Sequence, residues 1–221
     1  MKTLSPGNDR MNVLVIAPHP DDESIGCGGT LCLHARRGDP ITVAYLTSGE
    51  LGLKHLARNK ARLTREREAA RAARILGVSR LLFLRLPDWF VGENLDKAAN
   101  KLVPVLKSAK PELIYLPHVR EWHPDHKAAL PIVRAALEAA GISGPTLRSY
   151  EVWTPLPAYD HLENISAVMP RKLRALRAHR SQLKDFDYPR AVTGLNQFRG
   201  ALAAKCRYAE VFQMIDLKAG A

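Results

Sequence analysis

Two short stretches bring together the side chains that could do chemistry. "HPDDE" at 19–23 supplies His19, Asp21, Asp22 and Glu23, and "HPDH" at 123–126 supplies His123, Asp125 and His126. Imidazole and carboxylate are good zinc ligands, and three protein ligands with a fourth position left for water mark a catalytic rather than a structural site. Water on such an ion has a pKa near about 7, which provides a nucleophile at neutral pH. Proline after each histidine favours an extended conformation at that histidine and suits the first turn of a following helix. In an opening helical turn, residues three apart share a side. His19 and Asp22 can therefore grip one ion and leave Asp21 aimed at a water, while His123 and His126 reach the same space. Asp22 or Glu23 alone would read as a helix cap. The recurrence of His-Pro-Asp at the ends of two apolar runs makes coincidence a poor explanation.

Those apolar runs belong to an alternation of strands and helices, the pattern of βα units around a mainly parallel sheet. Strands are expected at 12–17, 41–47, 81–86, 113–116 and 147–153. Helices are expected from about 22 to 37, through the charged segment ending at Gly77, around 95–108 and from Pro124 to Gly141. Gly38 reads as a C′ stop, and Pro104 and Pro131 predict a kink or shortening of their helices. Further on, "ISAV" at 165–168 reads as a short strand, Pro170 as the first residue of a helix over "RKLRALRAHRSQL", and 194–209 as a final helix. In an open parallel sheet, ligands bind at the carboxyl ends of strands where the strand order reverses. With the order 3-2-1-4-5, the first and fourth strands are neighbours there, and the two clusters face each other across one crevice. The glycines of "IGCGGT" do not make a dinucleotide fingerprint, because position 31 is Leu. They read as close packing of helix on sheet, and no nucleotide cofactor is expected.

The chain has 221 residues, enough for one domain over 1–221 with a sizeable core. No apolar run approaches the roughly 20 residues of a membrane span, and "MKTLSPGNDR" lacks the apolar core of a signal peptide. Cys27, Cys32 and Cys206 are an odd, sparse set, read as reduced thiols of a cytoplasmic protein. The net charge of +11 would suit nucleic acid. However, "RNKARLTREREAARAAR" at 58–74 mixes signs as a solvated helix face does. A nucleic-acid partner is therefore not expected, and an anionic small substrate fits the same sign.

The two clusters resemble those of the GlcNAc-PI de-N-acetylase family, also called PIG-L or LmbE-like. Its (A/P)HPDDE hallmark corresponds to Pro18–Glu23 and its HPDH to His123–His126. "LTSGE" (46–50), the R-x-x-E of Arg65 to Glu68 and "AHRSQ" (178–182) extend the similarity over most of the chain. The resemblance implies a Rossmann-like α/β fold with helices on both faces. It also implies metal-dependent removal of an acetyl group from an N-acetylglucosamine-containing small molecule or saccharide. By position, His19, Asp22 and His126 resemble the metal ligands, with Zn2+ expected and Fe2+ the alternative divalent ion. Asp21 resembles the general base, and His123 the group that polarises the amide and stabilises the oxyanion. Asp125 would orient His123 and favour its protonated form. Arg65 matches an arginine that lies near substrate in relatives, and some relatives carry Tyr where Glu121 stands here. Either Asp21 or His123 could protonate the leaving amine. Relatives often form symmetric oligomers, so a homo-oligomer belongs among the expectations.

Trp122, beside His123, is the first choice among three tryptophans to stack on a sugar ring, while His179 reads as helix packing. Two rival classes remain. One is a metal hydrolase acting on another N-acyl or ester bond in a natural product. The other is a basic nucleic-acid-binding protein with a non-catalytic metal site. The second is disfavoured because every catalytic position is filled and a structural zinc normally has four protein ligands.

Overall fold

A computed structural model of the chain describes residues 10–217; the leader reading of residues 1–9 lies outside them. The chain runs β1 (Val13–Ala17), α1 (Asp22–Gly26), α2 (Gly28–Arg37), β2 (Ile41–Tyr45), α3 (Arg58–Leu76) and β3 (Arg80–Phe83). It continues through α4 (Leu95–Ala109), β4 (Leu113–Pro117), α5 (Pro124–Ala140) and β5 (Thr146–Tyr150). The last part contains β6 (His161–Asn164), α6 (Met169–Leu176), α7 (Tyr188–Arg199) and β7 (Ala209–Ile215). The sheet order is β3-β2-β1-β4-β5-β7-β6. The first five strands are parallel, and β7 runs antiparallel to both β5 and β6.

The apolar run of β1 is buried throughout because both faces of the sheet are covered, as parallel sheets require. Val13, Val15 and Ala17 join a core made with α1, α2, α3, α6 and α7. Leu14 and Ile16 join a second core made with α4 and α5. The central register pairs Val15 with Val43 on one side and with Tyr115 on the other. The order reverses between β1 and β4, so the loops after them lie side by side at the carboxyl edge. No helix among the described residues is long and apolar enough to cross a membrane.

Several expectations are corrected, most of them by contacts distant in sequence. The helix expected over 22–37 breaks at Cys27. Glu210 of β7 takes the amides of Gly29 and Thr30 at 2.8 and 2.7 Å, and buried Lys172 balances its charge. The fifth strand ends at Tyr150 rather than 153, because Glu121 captures the amides of Val152, Trp153 and Thr154. The third strand stops at Phe83, before Arg85 at φ 52°. The segment 165–168 is a turn, with the edge strand just before it at β6. The helix expected to run through 183 ends at Leu176, where Ala178 and His179 bond three residues back and Ser181 is held by Glu68 of α3. The final helix begins earlier, at Tyr188, and residues 209–215 form β7 instead of its end. Pro104 and Pro131 lie inside full-length helices, since the packing of α4 and α5 on the second core offsets one lost amide bond each.

Candidate active site

The loops after β1 and β4 converge on a triangle of donor atoms. His19 Nδ1 lies 3.3 Å from His126 Nε2 and 3.4 Å from Asp22 Oδ2, and His126 Nε2 lies 3.3 Å from Asp22 Oδ2. Ligands about 2.0–2.2 Å from a tetrahedral zinc stand about 3.3–3.5 Å apart, so the triangle has the edges such an ion needs. His123 also offers a nitrogen within 4.8 Å of those of His19 and His126. Asp22 is fixed locally, its carboxylate accepting the His19 amide at 2.8 Å.

Charge in the cluster is arranged as for a cation. Burial disfavours charge on Asp22, yet His126 and His19 hold its carboxyl well below the usual range. Burial likewise opposes protonation of His126, but Asp22 and Glu121 raise its pKa to about 9. The His19 pKa also rises against burial, through Asp125, Asp22 and Asp88. The carboxylates thus favour positive charge in the space the triangle encloses, where a divalent ion would supply it.

Carboxylates stand behind the far nitrogen of each imidazole of the triangle. His19 Nε2 faces Asp125 at 3.1 Å and Asp88 at 3.2 Å, while His126 Nδ1 faces Glu121 at 3.7 Å. Carboxylates behind ligating histidines fix the ring and raise its basicity. Asp88 is itself held by the Leu51 amide. The sequence did not point to Asp88, and it pointed to Glu121 only as the residue standing where some relatives carry Tyr. Asp88 follows the carboxyl end of β3, and the strand-end rule that picked out the two histidine clusters could have found it. Glu121 carries no such signal, because the amides it accepts lie 31 to 33 residues away.

Asp125 departs from its expected role. Its carboxylate accepts the Trp89 and Val91 amides at 2.8 and 3.2 Å and faces His19 rather than the His123 ring. What orients His123 is the Asp125 backbone amide, which donates to His123 Nδ1 at 3.2 Å. Nδ1 is therefore an acceptor, and the neutral ring carries its proton on Nε2. Burial, with His19 and His126 close by, lowers the His123 pKa to about 4. The neutral form of His123 is thereby favoured, although Asp125 pulls its pKa upwards as expected.

Asp21 lies on the other side of the triangle in strained backbone, at φ 138°. Burial raises its pKa to about 6 against the pull of Arg65. Arg65 is buried, with Nη2 3.2 Å from Asp21 Oδ2 and 2.8 Å from the Pro20 carbonyl, and Nη1 3.2 Å from the Gly49 carbonyl. Gly49 has φ 62°, and a Cβ there would stand 2.1 Å from Arg65 Nη1, which explains the glycine of "LTSGE". Arg65 lines the pocket, and its hydrogen bonds tie the loop carrying Asp21 to the loop carrying Gly49. The Asp21 amide donates to Glu23, whose carboxylate also meets Ser24, with His179 3.4 Å from Ser24. His179 thus backs the Asp21 loop as well as packing α6 to the rest.

The pocket above the triangle measures about 590 Å³. Trp122, half-exposed, and Trp89 stand on its His123 side, and Lys54 and His55 also line it. Residues 14–137 match the PIG-L family, described as GlcNAc-PI de-N-acetylase. The chain belongs to that family. A probable N-acetyl-alpha-D-glucosaminyl L-malate deacetylase 2 of Bacillus cereus is 32% identical to it, over 77% of this chain and 83% of the relative. Diacetylchitobiose deacetylase of Thermococcus kodakarensis is 31% identical, over 83% and 74%. A solved conserved protein of Thermus thermophilus superposes with a TM-score of 0.82 at 31% identity, covering 92% of this chain and 94% of its own. These matches place the PIG-L chain among amide-hydrolysing deacetylases.

Proposed function

We propose that this PIG-L chain, as a single domain, is a metal-dependent N-deacetylase that hydrolyses the acetamide of an N-acetylglucosamine-containing small molecule, releasing acetate and a free amine. The observation that carries the proposal is the donor triangle of His19, Asp22 and His126, with Asp21 and His123 beside it on one pocket. These three residues hold the ion, zinc in the first instance and ferrous iron as the alternative. When bound, the ion supplies Lewis acidity to the attacking water and to the acetamide carbonyl.

The protein's own groups move the protons. Asp21, held by Arg65 and the strained turn, takes a proton from the water as it attacks. His123 donates from Nε2 to the carbonyl oxygen as negative charge develops, without changing its own protonation state. Collapse of the tetrahedral carbon requires a proton on the departing nitrogen. Asp21 holds the one just removed, so it serves as the acid. Trp122 offers a face to the sugar ring, and Lys54 and His55 offer positive charge to an anionic substituent.

The test is a screen of N-acetylglucosaminyl malate, its inositol counterpart and diacetylchitobiose, scored by free amine with and without chelator. Chelator-sensitive amine release from at least one is expected. No release from any of them in protein loaded with zinc or ferrous iron would overturn the reading.

A further inference from the structure

A second cavity, of about 340 Å³, adjoins the first, and Trp153, Phe186 and Tyr188 line both. We propose that it is a subsite for an apolar substituent on the amino sugar, such as an alkyl or aryl aglycone. This rests on the deacetylase reading and extends it to the substrate class.

Three observations carry the proposal. First, the cavity walls away from the shared rings include Ile25, Val152, Val192 and Leu195. Second, part of its polar lining is already engaged. Asn196 accepts from Lys172 at 2.8 Å and donates to the Ala209 carbonyl at 3.0 Å, and Asp187 caps α7 through the Arg190 amide. A sugar ring or a malate there would give up hydrogen bonds to water and recover few, which is costly, whereas an alkyl or aryl group has none to lose. Third, an unbroken run of aromatic rings joins the catalytic histidine to this cavity. Ring centroids are 5.3 Å apart for His123 and Trp122, 6.0 Å for Trp122 and Trp153, and 5.2 Å for Trp153 and Phe186. Phe186 then stacks on Tyr188 at 5.5 Å. Trp122 and Phe186 are 53% and 48% exposed, an apolar surface that such a substituent would cover. The pocket thus has a basic side at Lys54 and His55 and an aromatic side leading into the second cavity.

The experiment compares methyl and hexyl glycosides of N-acetylglucosamine, in both anomers, with metal-loaded protein. Each buried methylene is worth about a fourfold gain, so five methylenes half-buried should raise kcat/KM by about 30-fold. Ala191→Trp, which fills the cavity from the exposed side of α7, should reduce the hexyl-to-methyl ratio to about threefold or less on the same area argument. Leu195→Ser is a second variant that should also lower the ratio if Ala191→Trp fails to fold. Methyl glycoside turnover with no hexyl preference would overturn the subsite and leave the deacetylase reading standing. If neither glycoside is deacetylated, the deacetylase reading rests on the substrate screen above. The subsite is then judged by calorimetric titration with hexyl glucoside, where Leu195→Ser must weaken binding and absence of binding to the unsubstituted protein overturns it.

Discussion

The two His-Pro-Asp stretches have the same first three residues and use them in opposite ways. In the first, helix α1 starts at Asp22 with Asp21 as its N-cap, so His19 lies in the loop before it. In the second, helix α5 starts at Pro124 and His123 itself is the N-cap. The helix therefore begins two residues earlier in the second motif. At about 100° per residue, that offset sends the two third-position carboxylates in different directions. Asp21 faces the pocket beside Arg65, whereas Asp125 is fully buried, holding two amides and His19. A shared tripeptide fixes which donors are present, and the start of the helix fixes what each one does.

This contrast is broken most severely by removing a triangle donor. Asp22→Asn should reduce bound metal from about one ion per chain to little and take activity to background, checked by elemental analysis beside the amine assay. Asp21→Asn should keep the metal and lose about 10²–10⁴-fold in kcat, the usual contribution of a general base. Near-normal turnover would show that the two aspartates had been assigned the wrong way round. Asp125→Asn tests the second motif. If its carboxylate braces His19, metal affinity should fall by about 10–100-fold, measured by competition with a chromophoric chelator. An unchanged affinity together with a shifted alkaline limb would restore its role as the partner of the His123 ring.

The smallest effect concerns pH. A base must be deprotonated to act, so activity is present above the Asp21 pKa and is lost as pH falls through it. That pKa stands at about 6 before an ion adds its own downward pull. Arg65 lowers it, so Arg65→Gln should move the acid limb of the rate profile towards higher pH. An unmoved limb with a raised KM would make Arg65 a substrate contact alone.

Strand β1, the C′ glycines of α2, α3 and α5 and the i,i+3 pairing of His19 with Asp22 were legible because each is set by residues within a few positions. The same holds for the parallel order through β5, since alternating βα units leave few ways to connect. The last third of the chain was read less well. Strand β7 exists because it pairs with β5 and β6, and its sequence "AEVFQMI" follows directly on a helical pattern. Glu121, noted in the sequence only for standing where some relatives carry Tyr, takes its place through the amides of 152–154 and the ring of His126.

By itself the sequence determined the chemical inventory: two imidazole–carboxylate clusters at the ends of buried strands. It also determined the family, because those motifs are specific and the match runs through most of the first two thirds of the chain. The tertiary structure decided how each group is used. Which nitrogen of His19 faces the triangle, which tautomer His123 adopts and which carboxylate stands behind each ring all depend on contacts across the sheet edge. Side-chain spacing along the chain is governed by local backbone geometry. Charge and proton position are governed by distance in space, and burial makes neighbours from remote parts of the sequence count most.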